Sequence, residues 1–190
     1  MKTTLSTASL ITLASIVALA GCSSAPMSSM SSMMPMYKQD MLPAPVQVPA
    51  GHKVAMETVG VGEITYECRA KANTMGEHEW FFVGPKAALN DRSGKTVGNY
   101  FGPPATWAST DGSKPTGTQV AVAPGGMGNI PMQLVKANPA MGQGAMSGVS
   151  YIQRVATKGG VAPAMPCNAG TLGQQQIVTY QADYIFYKAG

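Results

Sequence analysis

The stretch 177–188 constrains the fold most. Val178, Tyr180, Ala182, Tyr184 and Phe186 share one parity. Side chains two apart point to the same side only in an extended strand, so this is a long strand with a wide apolar face. The same period recurs at 64–70, where Ile64, Tyr66, Cys68 and Ala70 alternate with Thr65, Glu67 and Arg69. Residues 78–83, 96–101, 106–109, 119–123, 132–137 and 149–157 read as further strands. Turn signals fall between them about every ten residues, among them 90–95 and the hairpin dipeptide Asp111-Gly112. The chain holds 22 Gly and 14 Pro, and no amphipathic helix of useful length is visible. These features predict a single all-β domain, a β-sandwich or barrel-like fold with long Gly/Pro-rich loops. Pairing the first strand with the last would bring Cys68 near Cys167.

The N-terminus has a different logic. Met1-Lys2 is followed by a mainly apolar run over 10–20 and then by Leu19-Ala20-Gly21-Cys22. That order is a secretory signal. The run is too short for a bilayer span, which takes about 20 residues. A cysteine directly after Leu-Ala-Gly resembles the lipobox of bacterial lipoproteins. The resemblance implies that Cys22 is lipidated, becomes the first mature residue, and anchors the chain in a lipid bilayer. Ser23 follows it, not the Asp that commonly marks inner-membrane retention, so an outer-membrane location is expected, facing the periplasm or the surface.

The three cysteines are Cys22, Cys68 and Cys167. With Cys22 committed to lipid, an even pair remains in an oxidising compartment, and a Cys68–Cys167 disulfide is expected. The competing use, two thiolate ligands for a metal, lacks a Cys-x-x-Cys or a nearby His.

Three segments follow from this: a signal peptide over 1–21, a lipidated tether over 22–50, and a β domain over 51–190. The tether is Ser-rich and disordered at first, then proline-rich and extended over 42–49, a semi-rigid spacer. Met27, Met30, Met33, Met34 and Met36 crowd into it with Met-x-x-Met spacing. Thioethers are soft ligands that select Cu(I), and the segment resembles the Met-rich stretches of periplasmic copper and silver carriers. A plain flexible linker is the competing use of the same residues.

Other motifs fail on spacing. Gly94-Lys95-Thr96 lacks the P-loop glycine at 89, where Leu89 stands. The glycines at 142, 144 and 148 miss the dinucleotide register by one residue and precede no helix. His78 has Phe82 four residues on, not the second His of a zinc protease. Net charge is +4 with the basic residues scattered singly, which argues against nucleic acid as a partner.

From about 59 to 187 the chain resembles the domain-of-unknown-function 3455 family. Tyr66-Glu67-Cys68, the run 84–89 after Trp80, the run 97–103 followed by Trp107, Asp111-Gly112-Ser113, Ile130-Pro131, the run 149–160 and the run 180–187 carry the likeness. The family often has His where Asn99 stands and Trp where Met132 stands. The resemblance implies an exported single domain and no established activity. Some members carry a malate dehydrogenase label, and no nucleotide fingerprint accompanies it here.

The main expectation is a lipid-anchored, non-enzymatic envelope domain without a cofactor, binding a small ligand, a glycan or another envelope protein. The candidate surface is Asn99, Tyr100, Gly102, Trp107, Asp111, Ser113 and Arg154. One alternative is a Cu(I)- or Ag(I)-handling lipoprotein using the Met-rich tether. Another is an envelope hydrolase using Asp111 or Glu79, which requires a pocket with convergent carboxylates.

Overall fold

The computed structural model describes residues 37–190. It contains eight strands: β1 (His52–Ala70), β2 (His78–Asn90), β3 (Thr96–Phe101), β4 (Thr106–Ser109), β5 (Gly117–Ala123), β6 (Met132–Ala137), β7 (Val149–Gly159) and β8 (Gln175–Ala189). All pair antiparallel in one sheet of order β4-β3-β2-β1-β8-β7-β6-β5, curled into a half-barrel. The all-β, barrel-like expectation is therefore met, and every expected strand is present. The longest strands, β1 and β8, pair at the centre of the sheet, from His52↔Ala189 to Glu67↔Gln175.

The outer strands of this order approach each other. After β4 the chain turns at 110–113 and runs back beside β4, with a Thr106↔Thr116 bridge, before it becomes β5. Trp107 N–H donates to the Pro115 carbonyl and Gly117 N–H to the Ala105 carbonyl, each at 3.1 Å. The free edge of β4 is thereby covered, which removes a site for unwanted strand pairing.

The concave face carries the main core: Ile64, Leu89, Trp107, Met146, Tyr184 and Phe186 are among its buried members. Tyr184 spreads over β1 because Gly60 stands beneath it. A Cβ at Gly60 would lie 2.5 Å from the Tyr184 ring. The loop after β6 closes one end of the core by inserting Met146, which is fully buried.

The convex face is covered as well. Residues 37–49 do not form the extended spacer expected over 42–49. Short 3₁₀ turns at Gln39–Met41 and Ala44–Val46 fold them onto the sheet. Val46 and Val48 are buried against Leu134, Val155, Ile185 and Tyr187. The physical reason is that β8 is apolar on both parities from Tyr184 to Tyr187, so its outer face also needs a cover. Polar contacts fix this strap. The Tyr37 hydroxyl donates to Asp183 Oδ2 at 2.9 Å, and Gln39 Nε2 donates to the Tyr187 hydroxyl at 2.8 Å. The buried amide of Gln153 donates to the Val46 carbonyl.

Cys68 and Cys167 form a disulfide that closes a separation of 99 residues. It pins the loop after β7 to the end of β1, where Gly173 N–H also donates to the Cys68 carbonyl at 2.8 Å.

Candidate functional site

Side chains of inward parity on β1, β2, β3, β5, β6 and β7 surround a cleft of about 360 Å³ on the concave face. Ile64, Tyr66, Phe82, Tyr100, Ile130 and Val135 supply its aromatic and aliphatic walls. Gln119, Gln133 and Arg154 supply its polar groups. This combination, an apolar wall with few convergent polar groups, is the usual make-up of a small-molecule site.

Each polar group is held in place. Gln133 Nε2 donates to Gln119 Oε1 at 2.6 Å, cross-linking β6 to β5. Arg154 donates from Nε and Nη2 to the Pro131 carbonyl, at 3.1 and 2.9 Å. The Tyr66 hydroxyl donates to the Gly160 carbonyl at 2.8 Å. The Tyr100 ring packs on Trp107, stacked at 4.7 Å, and on Tyr184 at 5.0 Å, and those two rings meet edge-on at 6.1 Å, so the three form one cluster. The Tyr66 and Phe82 rings meet edge-on at 6.0 Å.

The electrostatics follow from this packing. Desolvation raises the pKa of Tyr66, Tyr100, Tyr180 and Tyr184, and the positive charge of Arg154 opposes that shift at all four. The phenols are therefore neutral hydrogen-bonding groups at neutral pH. None of the side chains lining the cleft is a carboxylate, and Arg154 is its one charged group.

The sequence-predicted surface residues separate. Tyr100 and Arg154 meet in the cleft. Trp107 lies behind Tyr100 and is 1% exposed. Asn99 points the other way from Tyr100 and lines an open depression beside Lys86 and Phe101. Gly102 sits where its carbonyl comes so near Gly84 that a side chain there would collide with it. Asp111 and Ser113 form a latch at the β4–β5 turn. Asp111 Oδ1 accepts from the Ser113 hydroxyl at 2.6 Å, and Oδ2 accepts from the Ala145 amide at 2.7 Å. The Ser113 hydroxyl in turn accepts from the Met146 amide at 3.1 Å. These bonds, led by that from the Ala145 amide, hold the Asp111 carboxyl well below the usual carboxylate range. The latch docks the Met146 loop and lines no part of the cleft.

Tyr66, Phe82, Gln119 and Gln133 were not among the candidates. For the two glutamines the signal is polarity at the wrong parity: Gln119 and Gln133 occupy inward positions of β5 and β6 where a packed core would hold apolar residues, whereas Tyr66 and Phe82 read as ordinary core aromatics. Cys22 and Met27, Met30, Met33, Met34 and Met36 lie outside the described residues. Among the described residues, no group of three or more His, Cys, Asp or Glu gathers as a metal site would require.

Set beside known families, residues 49–188 match the profile described as a protein of unknown function (DUF3455). Neither the curated proteins nor the solved structures give a significant match.

Proposed function

Because the chain belongs to the DUF3455 family, which has no assigned activity, we propose from its own cleft that it is a cell-envelope lipoprotein whose half-barrel binds a small molecule without transforming it. The observation that carries this reading is the concave cleft, where Arg154, Gln119 and Gln133 converge on apolar walls. The order of the first 22 residues supports the anchor. Lipidated Cys22 holds the chain on a membrane surface, most simply the outer membrane. Residues 23–36 then link the anchor to the strap.

The positions of the acids favour binding over hydrolysis. Asp111 has both oxygens engaged in the latch. Glu79 is exposed on β2 and lines no part of the cleft. A hydrolase on either residue would need a second group facing it across a pocket.

Two measurements test the reading. The Cys22→Ala variant moves from the membrane fraction to the soluble fraction if the anchor is lipid; unchanged membrane association contradicts it. The full-length protein, purified gently from its own envelope, carries a small molecule at near-stoichiometric level, detected by mass spectrometry after denaturation. Gln119→Trp, which fills the cleft, loses it. The same molecules on both proteins would contradict binding in the cleft.

A further inference from the structure

The geometry points to a ligand class: we propose that the cleft takes a small monocarboxylate with a compact apolar body, and that Arg154 is the anchor for its anionic head. This rests on the binding reading above and names the ligand it serves.

Arg154 is the starting point. The described ion pairs join Arg69 to Glu67, Lys71 to Glu77, and Arg92 to Glu57 and Asp183, and none includes Arg154. Its Nε and Nη2 share one acceptor, the Pro131 carbonyl. That contact fixes the plane of the guanidinium, while Nη1 makes no hydrogen bond among the described residues. A guanidinium has five N–H donors in a rigid fork, so one edge held by a carbonyl leaves donors for a carboxylate. The contact thus orients the charge before any ligand arrives.

The second donor is Tyr100. Its hydroxyl makes no hydrogen bond among the described residues, and its ring is held in a cluster with Trp107 and Tyr184. Burial keeps that phenol protonated, so its proton is available to a carboxylate oxygen.

The rest of the lining sets the size and kind of ligand. A single cation among neutral donors suits one negative charge; a phosphate dianion or a polyphosphate would call for more. The walls beyond the head site are Ile64, Phe82, Ile130 and Val135, which favour an apolar body. A space of about 360 Å³ lies at the small end of ligand sites and suits a compact molecule. Gln133 Nε2 donates to Gln119 Oε1, which leaves the Gln119 amide nitrogen and Gln133 Oε1 as neutral polar groups beside the cation.

The test is calorimetry on the full-length protein in phospholipid nanodiscs, with empty discs as the control. The probes are 3-phenylpropionate, hexanoate and the neutral 3-phenylpropanamide. Both carboxylates are expected to bind, and the amide at least tenfold more weakly. Arg154→Gln is expected to bring the carboxylates down to the level of the amide. Arg154→Lys, which keeps the charge without the fork, should retain part of the preference. Equal affinity for 3-phenylpropionate and its amide, or an unchanged preference in Arg154→Gln, overturns the anion anchor while the cleft stands as a binding site. Failure of all three probes to bind also overturns the ligand class, and the co-purification of a different molecule with the wild type would then show the binding reading surviving without it.

Discussion

Tyr37 and Asp183 meet across 146 residues of chain: the phenol donates to Asp183 Oδ2 at 2.9 Å. Arg92 Nη1 reaches the same oxygen at 2.9 Å, and its Nη2 reaches Glu57 Oε2 at 3.1 Å. Glu57 and Asp183 are both buried beside each other's strands, on β1 and β8. One guanidinium therefore serves two buried carboxylates, and the strap closes over them.

Removing that guanidinium should be costly. Arg92→Ala leaves two buried carboxylates without their shared cation, and breaking a buried ion pair costs about 3–5 kcal/mol. Tyr37→Phe removes a single hydrogen bond and should cost about 1 kcal/mol. Urea unfolding of both variants checks the order. A loss of under about 1 kcal/mol for Arg92→Ala would mean that the network adds little.

Alkaline pH should unfold the domain sharply. Burial is the main cause that raises the phenols of Tyr37 and Tyr187 to about 12. Tyr66, Tyr100, Tyr180 and Tyr184 shift the same way. Between the unfolded value near 10 and the folded values, the folded chain binds more protons than the unfolded one. Stability is thus fully present below pH 10 and is lost as pH climbs toward 12. Absorbance at 295 nm, followed together with near-ultraviolet circular dichroism, should show tyrosinate appearing as tertiary structure disappears. Ionisation of these phenols near pH 10 in an intact fold would contradict the packing.

The disulfide should matter for stability more than for architecture. A loop of 99 residues gives about 4–5 kcal/mol in the chain-entropy account, an upper figure. The Cys68→Ser, Cys167→Ser double variant is expected to lose about 2–5 kcal/mol while its far-ultraviolet spectrum stays strand-rich. Loss of the spectrum itself would show that the bond is needed to form the sheet.

Trp107 offers a cleaner contrast. It is fully packed, yet its Nε1 has no hydrogen-bond partner. Trp107→Ala should cost about 3–5 kcal/mol through the cavity it leaves. Trp107→Phe should cost much less, because it retains most of the stacking on Tyr100 and removes a buried unsatisfied donor. Thermal melts of the pair decide it, and equal costs would contradict this account of the site.

The strands were legible in the sequence because apolar residues recur with a period of two on the concave face and turn residues stand between the strands. Thr96–Phe101, Thr106–Ser109 and Met132–Ala137 can be read to the residue. The strap was not, because proline-rich composition describes a free chain and says nothing of the surface it meets. The clue lay elsewhere, in Ile185 and Tyr187, whose apolar side chains occupy the parity opposite to Tyr184 and Phe186. The site was half legible. Tyr100 and Arg154 were found, yet glycine-rich loops suggested neighbours that the sheet's parity turns away, as with Asn99. Asp111 looked functional because short polar residues around glycines serve turns and ligands alike.

The central claim is that the concave cleft is where this domain binds. Two-dimensional amide spectra recorded while 3-phenylpropionate is titrated into the protein test it most directly. The predicted result is a saturable set of shifts concentrated on Tyr66, Tyr100, Gln119, Ile130 and Arg154. Shifts clustered instead around Asn99, Lys86 and Phe101 on the opposite face, or no saturable shifts in the cleft, would contradict it.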